Sequence, residues 1–252
     1  MVVLKRYIRQ MKKALLLLPF LFSLPAVAET LYFEHASSQE TLRISLSFEE
    51  DKVFGTQTWE IPEAHGSQGS LQGSASDDGL LRLKHEYTIE GSDQTEEVVY
   101  KLEGDQLFIG EGELVESAGG ILKLKDPTKV KFTKALKRVR VEEPKAGSPE
   151  RKKIMDTMRG PISAYVGRTV EFTGDIRAYE GWACFSGNVA TADGKEPTSE
   201  DSAFALSLDF LGVLKKDPEG KWQLLCWGFA GDIGARDEAL GKFPEVPWVV
   251  LN

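Results

Sequence analysis

The chain has few of the residues that build catalytic or metal centres. It contains two cysteines, Cys184 and Cys226, and three histidines, His35, His65 and His85. Zinc sites need three or four ligands at recognisable intervals, and these histidines have no regular spacing. A nucleophilic thiol needs a base or a positive neighbour, and no histidine follows residue 85. We therefore predict no metal, no cofactor and no catalytic residue, and we interpret the histidines as solvated.

Beyond its N-terminus the chain has no apolar run long enough to cross a membrane. The first 28 residues instead have the features of a secretory signal: basic MVVLKRYIRQMKK, apolar ALLLLPFLFSLP, and AVA before Glu29. They predict cleavage after Ala28, with Met1 or Met11 as the start, and a periplasmic or secreted protein. No integral membrane segment is expected after cleavage.

The charge is strongly acidic once the signal is removed. Residues 1–28 carry five cations and no acid, so their loss changes the formal charge from −8 to −13. A protein of this charge repels the phosphate backbone, which disfavours nucleic acid as a partner. We therefore expect the partner to be another protein or a small ligand.

One segment is basic in this acidic chain. It contains eight Lys or Arg residues between Lys123 and Arg140. One hypothesis is a patch for an anionic partner. The alternative, which we favour, is an edge strand protected by lysines against aggregation. The residues of the patch would be Lys129, Lys131, Lys134, Lys137 and Arg138.

Residues 29–141 alternate between apolar and polar positions, as half-buried strands do. In TLRISLSF, the side chains of Leu42, Ile44, Leu46 and Phe48 share one face. Turn-like breaks such as SDDG, EGDQ and KDPT separate the runs. The pattern predicts an all-β antiparallel meander, closed into a small barrel or folded as a sandwich.

A linker over residues 142–149 precedes a second predicted domain, 150–252. Ser148 has the features of an N-cap, and an apolar stripe with a four-residue period predicts a helix that Gly160-Pro161 kinks or divides. Four strands follow. We predict a helix packed on a curved antiparallel sheet, and an α+β fold class overall.

The second domain resembles a family of uncharacterised bacterial exported domains over about residues 150–235. The order of motifs is R-x-x-I-x-x-x-x-R, a strand, a G-W-A strand, an aliphatic strand and a G-x-W strand. The topology is similar to the cystatin-like and NTF2-like arrangement. The resemblance implies no activity. It rests on Arg151, Ile154, Arg159, Phe172, Gly181, Trp182, Ala183, Gly220 and Trp222.

Two cysteines in an exported chain are typical of one disulfide. In a meander, however, the strands of Cys184 and Cys226 flank a common central strand, roughly 9–10 Å apart. A disulfide needs Cα atoms within about 7 Å. We favour two buried, reduced thiols, because the tight DPEG turn supports the meander, while direct pairing of the two strands would suit a bridge.

Further candidates lie on or beside the second sheet. Asp209, Asp175 and Asp232 are candidates for a ligand or proton role if one of them is buried in a pocket. For Asp209 we favour the alternative, a solvent-facing carboxylate, because it alternates with Leu208 and Phe210. Trp227 has the opposite strand parity to Trp222, which predicts that it points to the other face of the sheet, and that face is either covered by the helix or exposed. With Phe185 or Phe229 nearby it would form a binding surface.

These observations predict an exported, non-enzymatic binding or interaction protein of the bacterial cell envelope. One alternative is an enzyme that uses a buried Asp in the curved-sheet domain. The other is an inhibitor or immunity protein against an envelope-targeted toxin, with the acidic surface meeting a basic partner.

Overall fold

A computed structural model describes residues 30–64, 66–76, 78–117, 119–192, 209–229 and 233–251. Of these residues, 58% lie in strands and 16% in helices. The chain divides into two compact units, Met1–Val139 and Arg140–Asn252. Within the described residues, no helix has the length and hydropathy needed to cross a membrane. Asp232 and His65, both considered above, lie outside the described residues.

The first unit contains ten strands, numbered in chain order. They are β1 (Thr30–Ala36), β2 (Thr41–Glu49), β3 (Lys52–Glu60), β4 (Ser67–Ala75), β5 (Leu80–Ile89), β6 (Ser92–Glu103), β7 (Gln106–Glu111), β8 (Leu114–Glu116), β9 (Leu122–Leu124) and β10 (Lys131–Val139). Eight of them pair in the order β5-β4-β3-β2-β1-β10-β7-β6, and β5 also pairs with β6. The sheet therefore closes into a barrel, which is one of the two predicted forms.

Strand alternation fills the barrel with apolar side chains. Phe33, Ile44, Leu46 and Leu136 are fully buried, as the period-two pattern of their strands predicts. Tight curvature brings some backbones close together. A Cβ atom on Gly73 would lie 2.1 Å from the Arg82 carbonyl oxygen, so β4 and β5 can approach this closely only with glycine there.

The second unit contains a four-stranded sheet and three helices. They are α1 (Pro149–Val166), β11 (Val170–Tyr179), β12 (Trp182–Thr191), β13 (Asp209–Lys216), β14 (Trp222–Phe229), α2 (Ile233–Lys242) and α3 (Trp248–Leu251). The sheet is an antiparallel meander in the order β11-β12-β13-β14. Ser148 caps α1 by accepting a hydrogen bond from the Arg151 amide at 3.2 Å. Pro161 lies inside α1 and does not divide it.

The predicted fold class, α+β with a helix on a curved sheet as the second domain, is wrong. The described chain is mostly β, with an eight-stranded closed barrel, a separate four-stranded sheet and three short helices. The apolar stripe of residues 150–166 does form α1. After Phe229 the described chain contains two further helices, α2 beside β13 and β14, and α3 beside β11 and β12. The predicted class was wrong because one periodic helix was taken as a complete helical layer, whereas most of the described chain forms strands.

Candidate ligand-binding cavity

The barrel interior is polar at one end. This end, called the polar end below, has the turns from β1 to β2, β3 to β4 and β5 to β6. At the opposite end, the inward positions of the strands are apolar, with Val53, Leu81 and Leu107 fully buried. Towards the polar end, the same faces of the strands carry Gln57 and His85. The polarity of the interior therefore changes along the barrel axis.

A cavity of about 320 Å³ lies at the polar end. Its volume is at the lower limit of small-molecule pockets, which span roughly 300–1,000 Å³. Eight-stranded barrels are either filled by side chains or just wide enough for one small ligand. The apolar lining includes Leu42, Trp59, Tyr100, Ile109, Leu114 and Leu124, and the polar lining Gln57, Glu96, Glu111 and Lys134.

The cavity lies where the barrel wall is incomplete. β6 and β7 pair only from Tyr100–Ile109 to Glu103–Gln106, so residues 92–99 of β6 have no partner in β7. The β8–β9 hairpin lies beside this gap, because Leu122 of β9 pairs with Glu96 of β6. Leu114 of β8 lines the cavity and is 39% exposed. It therefore forms part of the rim.

A hydrogen-bonded group of side chains forms the inner wall. The Tyr100 hydroxyl donates to Gln57 Oε1 at 2.7 Å, and Gln57 Nε2 lies 3.5 Å from His85 Nδ1. Glu96 Oε1 lies 3.4 Å from the same ring nitrogen, and the Tyr87 ring stacks on the imidazole at 4.4 Å. Burial, helped by the charge of Glu96, raises the pKa of Tyr100, so its phenol stays neutral.

His85 was interpreted as a solvated residue, and that prediction is wrong. Its side chain is buried, with 1% of its surface exposed. Among the described residues, no atom accepts or donates a hydrogen bond at His85 Nε2. The signal was present in the sequence, because residue 85 shares its strand parity with the apolar Leu81 and Leu83.

Glu40 connects two residues of the cavity wall. Its carboxylate accepts a hydrogen bond from Lys134 Nζ at 2.6 Å and from Trp59 Nε1 at 2.9 Å. The Lys134 hydrogen bond lowers the pKa of Glu40 below its ordinary value, although burial opposes this effect. The indole of Trp59 and the ammonium of Lys134 are thereby held in fixed positions.

The predicted basic patch is divided. β10 pairs with β1 on one side and β7 on the other, so it is not an edge strand. A bulge lies between Phe132 and Lys134. Lys134 lines the cavity, Lys129 lies 3.1 Å from Asp126, and Arg138 lies 3.8 Å from Asp105. Lys131 and Lys137 are exposed on β10.

Two of the three candidate aspartates lie at exposed positions. Asp209 is exposed at the first residue of β13. Asp175 is exposed on β11, where it lines a small cavity of about 100 Å³ with Arg177, Cys184 and Arg236. The third candidate, Asp232, lies outside the described residues. A proton role at Asp175 would thus involve a solvated carboxylate beside two arginines.

The cysteines flank one strand, as the meander predicts. Val213 of β13 pairs with Cys184 of β12 on one side and with Cys226 of β14 on the other. Neither cysteine forms a disulfide, and both are buried. Burial raises the pKa of Cys184 to about 12, despite the opposing charges of Arg236 and Arg177. A protonated, buried thiol is a poor nucleophile.

Trp227 does not lie on the opposite face of the sheet from Trp222. A register shift between Val213 and Leu214 changes the parity of β14, so Trp222 and Trp227 both pack against the core beneath α1. Phe185, the proposed neighbour in a binding surface, is fully buried. Trp227 and Phe229 are half-buried, with their rings 4.8 Å and 6.0 Å from that of Tyr165.

No known protein family, no curated protein and no solved structure matches this chain. The cavity is therefore interpreted from its own residues. Sequence reasoning did not identify Gln57, Glu96 or Tyr100 as site residues. Strand parity could have found them, because each alternates with inward apolar residues in its strand, as Gln57 does between Val53 and Trp59.

Proposed function

We propose that the protein is an exported binding protein of the bacterial cell envelope that takes a small ligand into the barrel. The observation that carries the proposal is the cavity of about 320 Å³ at the polar end. A well-packed interior leaves few voids larger than a water molecule. A cavity of this size, with a gap in the wall and both apolar and polar lining, has the properties of a ligand site.

The chemistry of the lining favours binding over catalysis. The Tyr100 phenol has a raised pKa and already donates a hydrogen bond to Gln57. It is thus suited to hold a hydrogen-bonded network in place and unsuited to abstract a proton. Glu40 is held as a carboxylate by Lys134, which positions the wall rather than a reacting group.

Two neighbouring rim residues allow a matched test. Leu114 and Val115 of β8 are each 39% exposed, and Leu114 is the one that lines the cavity. Leu114→Trp should fill the entrance, whereas Val115→Trp adds the same indole outside it. The full chain and both variants would be titrated with the neutral fluorescent probe N-phenylnaphthylamine.

We expect the wild-type protein and Val115→Trp to bind the probe with equal affinity, and Leu114→Trp to bind at least about tenfold more weakly. A wild-type protein that binds no probe would contradict the proposal. Equal weakening by the two substitutions would also contradict it, because binding would then lie outside the cavity. Thermal melting of each variant checks that the barrel is folded.

A further inference from the structure

We propose that the cavity selects ligands with a positively charged group attached to an apolar body. This inference rests on the proposed function, since it names the class of ligand that the same cavity accepts. The inference is based on the arrangement of charged and aromatic side chains around the cavity. The sequence did not show that these side chains are neighbours.

The fixed charges at the cavity are unbalanced. Three glutamates line it. Glu97 lies 3.9 Å from Lys123, whereas Glu96 and Glu111 form no ion pair with Lys or Arg within the described residues. The neighbour of Glu96 is the buried imidazole of His85 at 3.4 Å. Lys131 is opposite Glu111 in the β7–β10 ladder, but the two side chains make no ion pair. The carboxylates of Glu96 and Glu111 are thus available to interact with a ligand.

The one cation in the described lining is already neutralised. Lys134 Nζ lies 2.6 Å from Glu40 Oε1, and the side chain of Glu40 is 18% exposed. A bound anion would have to compete with Glu40 for this ammonium and would also face Glu96. A bound cation would face no uncompensated positive charge among these residues. The sign of the local field therefore favours a cation.

The position of Glu96 strengthens its effect. Its side chain is 20% exposed, so it is mostly shielded from water. Charge interactions at such a site are several times stronger than in bulk water. Glu111 is exposed at the rim, where its contribution is screened and smaller. Glu96 is therefore the main determinant of charge selectivity, and Glu111 contributes less.

Aromatic and aliphatic side chains complete the site. Trp59 and Tyr100 line the cavity, and hydrogen bonds to Glu40 and Gln57 hold their polar atoms. The faces of such rings attract cations. Leu42, Ile109 and Leu114 offer apolar surface for the rest of the molecule. An ammonium group on a short hydrocarbon chain satisfies both parts of this lining.

Three compounds that share one chain separate charge from apolar contact. Octylammonium, octanol and octanoate would each compete with N-phenylnaphthylamine on the full chain at neutral pH. We expect octylammonium to displace the probe at a concentration at least about tenfold below that of octanol, with octanoate the weakest. Equal or tighter binding of octanol or octanoate would overturn the inference.

The role of Glu96 is tested with a substitution on the same strand as control. Glu96→Gln should remove the preference for octylammonium over octanol. Glu103→Gln, at the other end of β6, changes the net charge equally and removes a carboxylate 2.6 Å from Lys101. We expect this control to keep the preference. Loss of the preference in both variants would assign it to net charge and overturn the inference.

The outcomes for the two proposals differ. If the probe binds and Leu114→Trp blocks it, but the three compounds show no cation preference, the charge inference fails and the cavity proposal stands. If the wild-type protein binds no probe, the proposed function itself fails. Glu111→Gln supplies a second variant at the rim, for which a smaller loss of preference is expected than for Glu96→Gln.

Discussion

The hydroxyl of Tyr100 donates a 2.7 Å hydrogen bond to Gln57 across the barrel interior, and so connects β6 with β3, which are not neighbours in the sheet. The bond lies beside the cavity and fixes two of its lining residues. Tyr100 is fully buried, and Gln57 is the one hydrogen-bond partner of its hydroxyl among the described residues.

Tyr100→Phe should therefore lower the stability of the barrel. The substitution leaves the half-buried Gln57 oxygen without its donor, and an unsatisfied buried polar group costs roughly 1–3 kcal/mol. We expect a loss of about 1–2 kcal/mol in the free energy of unfolding, measured in urea by circular dichroism. Tyr87→Phe is the control, because it keeps the ring that stacks on His85. A loss as large in the control would contradict a specific role for the Tyr100 hydroxyl.

The contact of Glu40 with Lys134 predicts a pH dependence of stability. The pKa of Glu40 is lowered in the folded chain, chiefly by its hydrogen bond to Lys134, from an ordinary value of 4.5. The folded state therefore binds this proton less readily than the unfolded state does. The contribution to stability is complete above the unfolded pKa and is lost as the pH falls through the folded pKa.

Wild-type protein and Glu40→Gln would be compared by urea unfolding from pH 7 to pH 3. We expect the wild type to be more stable at pH 7, and the difference to shrink below about pH 4.5. Lys134→Gln removes the partner of Glu40 and should abolish most of this pH dependence, because Glu40 then keeps only its hydrogen bond from Trp59. A difference that stays constant over this range would show that the ion pair is not the cause.

Much of the barrel could be predicted from local pattern, but its cavity could not. Alternation placed Leu42, Ile44 and Leu46 on the inner face, and all three are buried. Closure depends on the pairing of β1 with β10 and of β5 with β6. The cavity depends on where the β6–β7 ladder stops. The ladder end and the β1–β10 pairing are set by contacts between distant segments, which alternation within one strand does not specify.

In the second unit, one inserted residue makes a prediction from strand parity fail. The bulge between Val213 and Leu214 shifts the register of β14, which places Trp227 on the same face as Trp222. Bulges leave no residue signature as strong as alternation itself. The separation of the cysteines was predictable, because strands that flank a common strand lie at least two strand spacings apart whatever their register.

The state of the cysteines predicts slow reaction with alkylating reagents. Cys184 is buried and its pKa is raised to about 12, so little thiolate exists at pH 8. We expect iodoacetamide to leave Cys184 and Cys226 unmodified in the native protein and to modify both in urea, as read by intact mass. A mass that shows a disulfide before denaturation would contradict the meander of β12, β13 and β14.

The predicted cleavage after Ala28 implies that substitutions at neighbouring positions affect cleavage differently. Signal cleavage requires small residues at the first and third positions before the cut, here Ala28 and Ala26. Ala28→Leu should leave the precursor uncleaved, whereas Val27→Leu, at the tolerant position between them, should not. We expect N-terminal sequencing of protein recovered from the bacterial envelope fraction to begin at Glu29 for the wild type and for Val27→Leu. Recovery of wild-type chain that begins at Met1 or Met11 from the cytoplasm alone would contradict export and, with it, the envelope role.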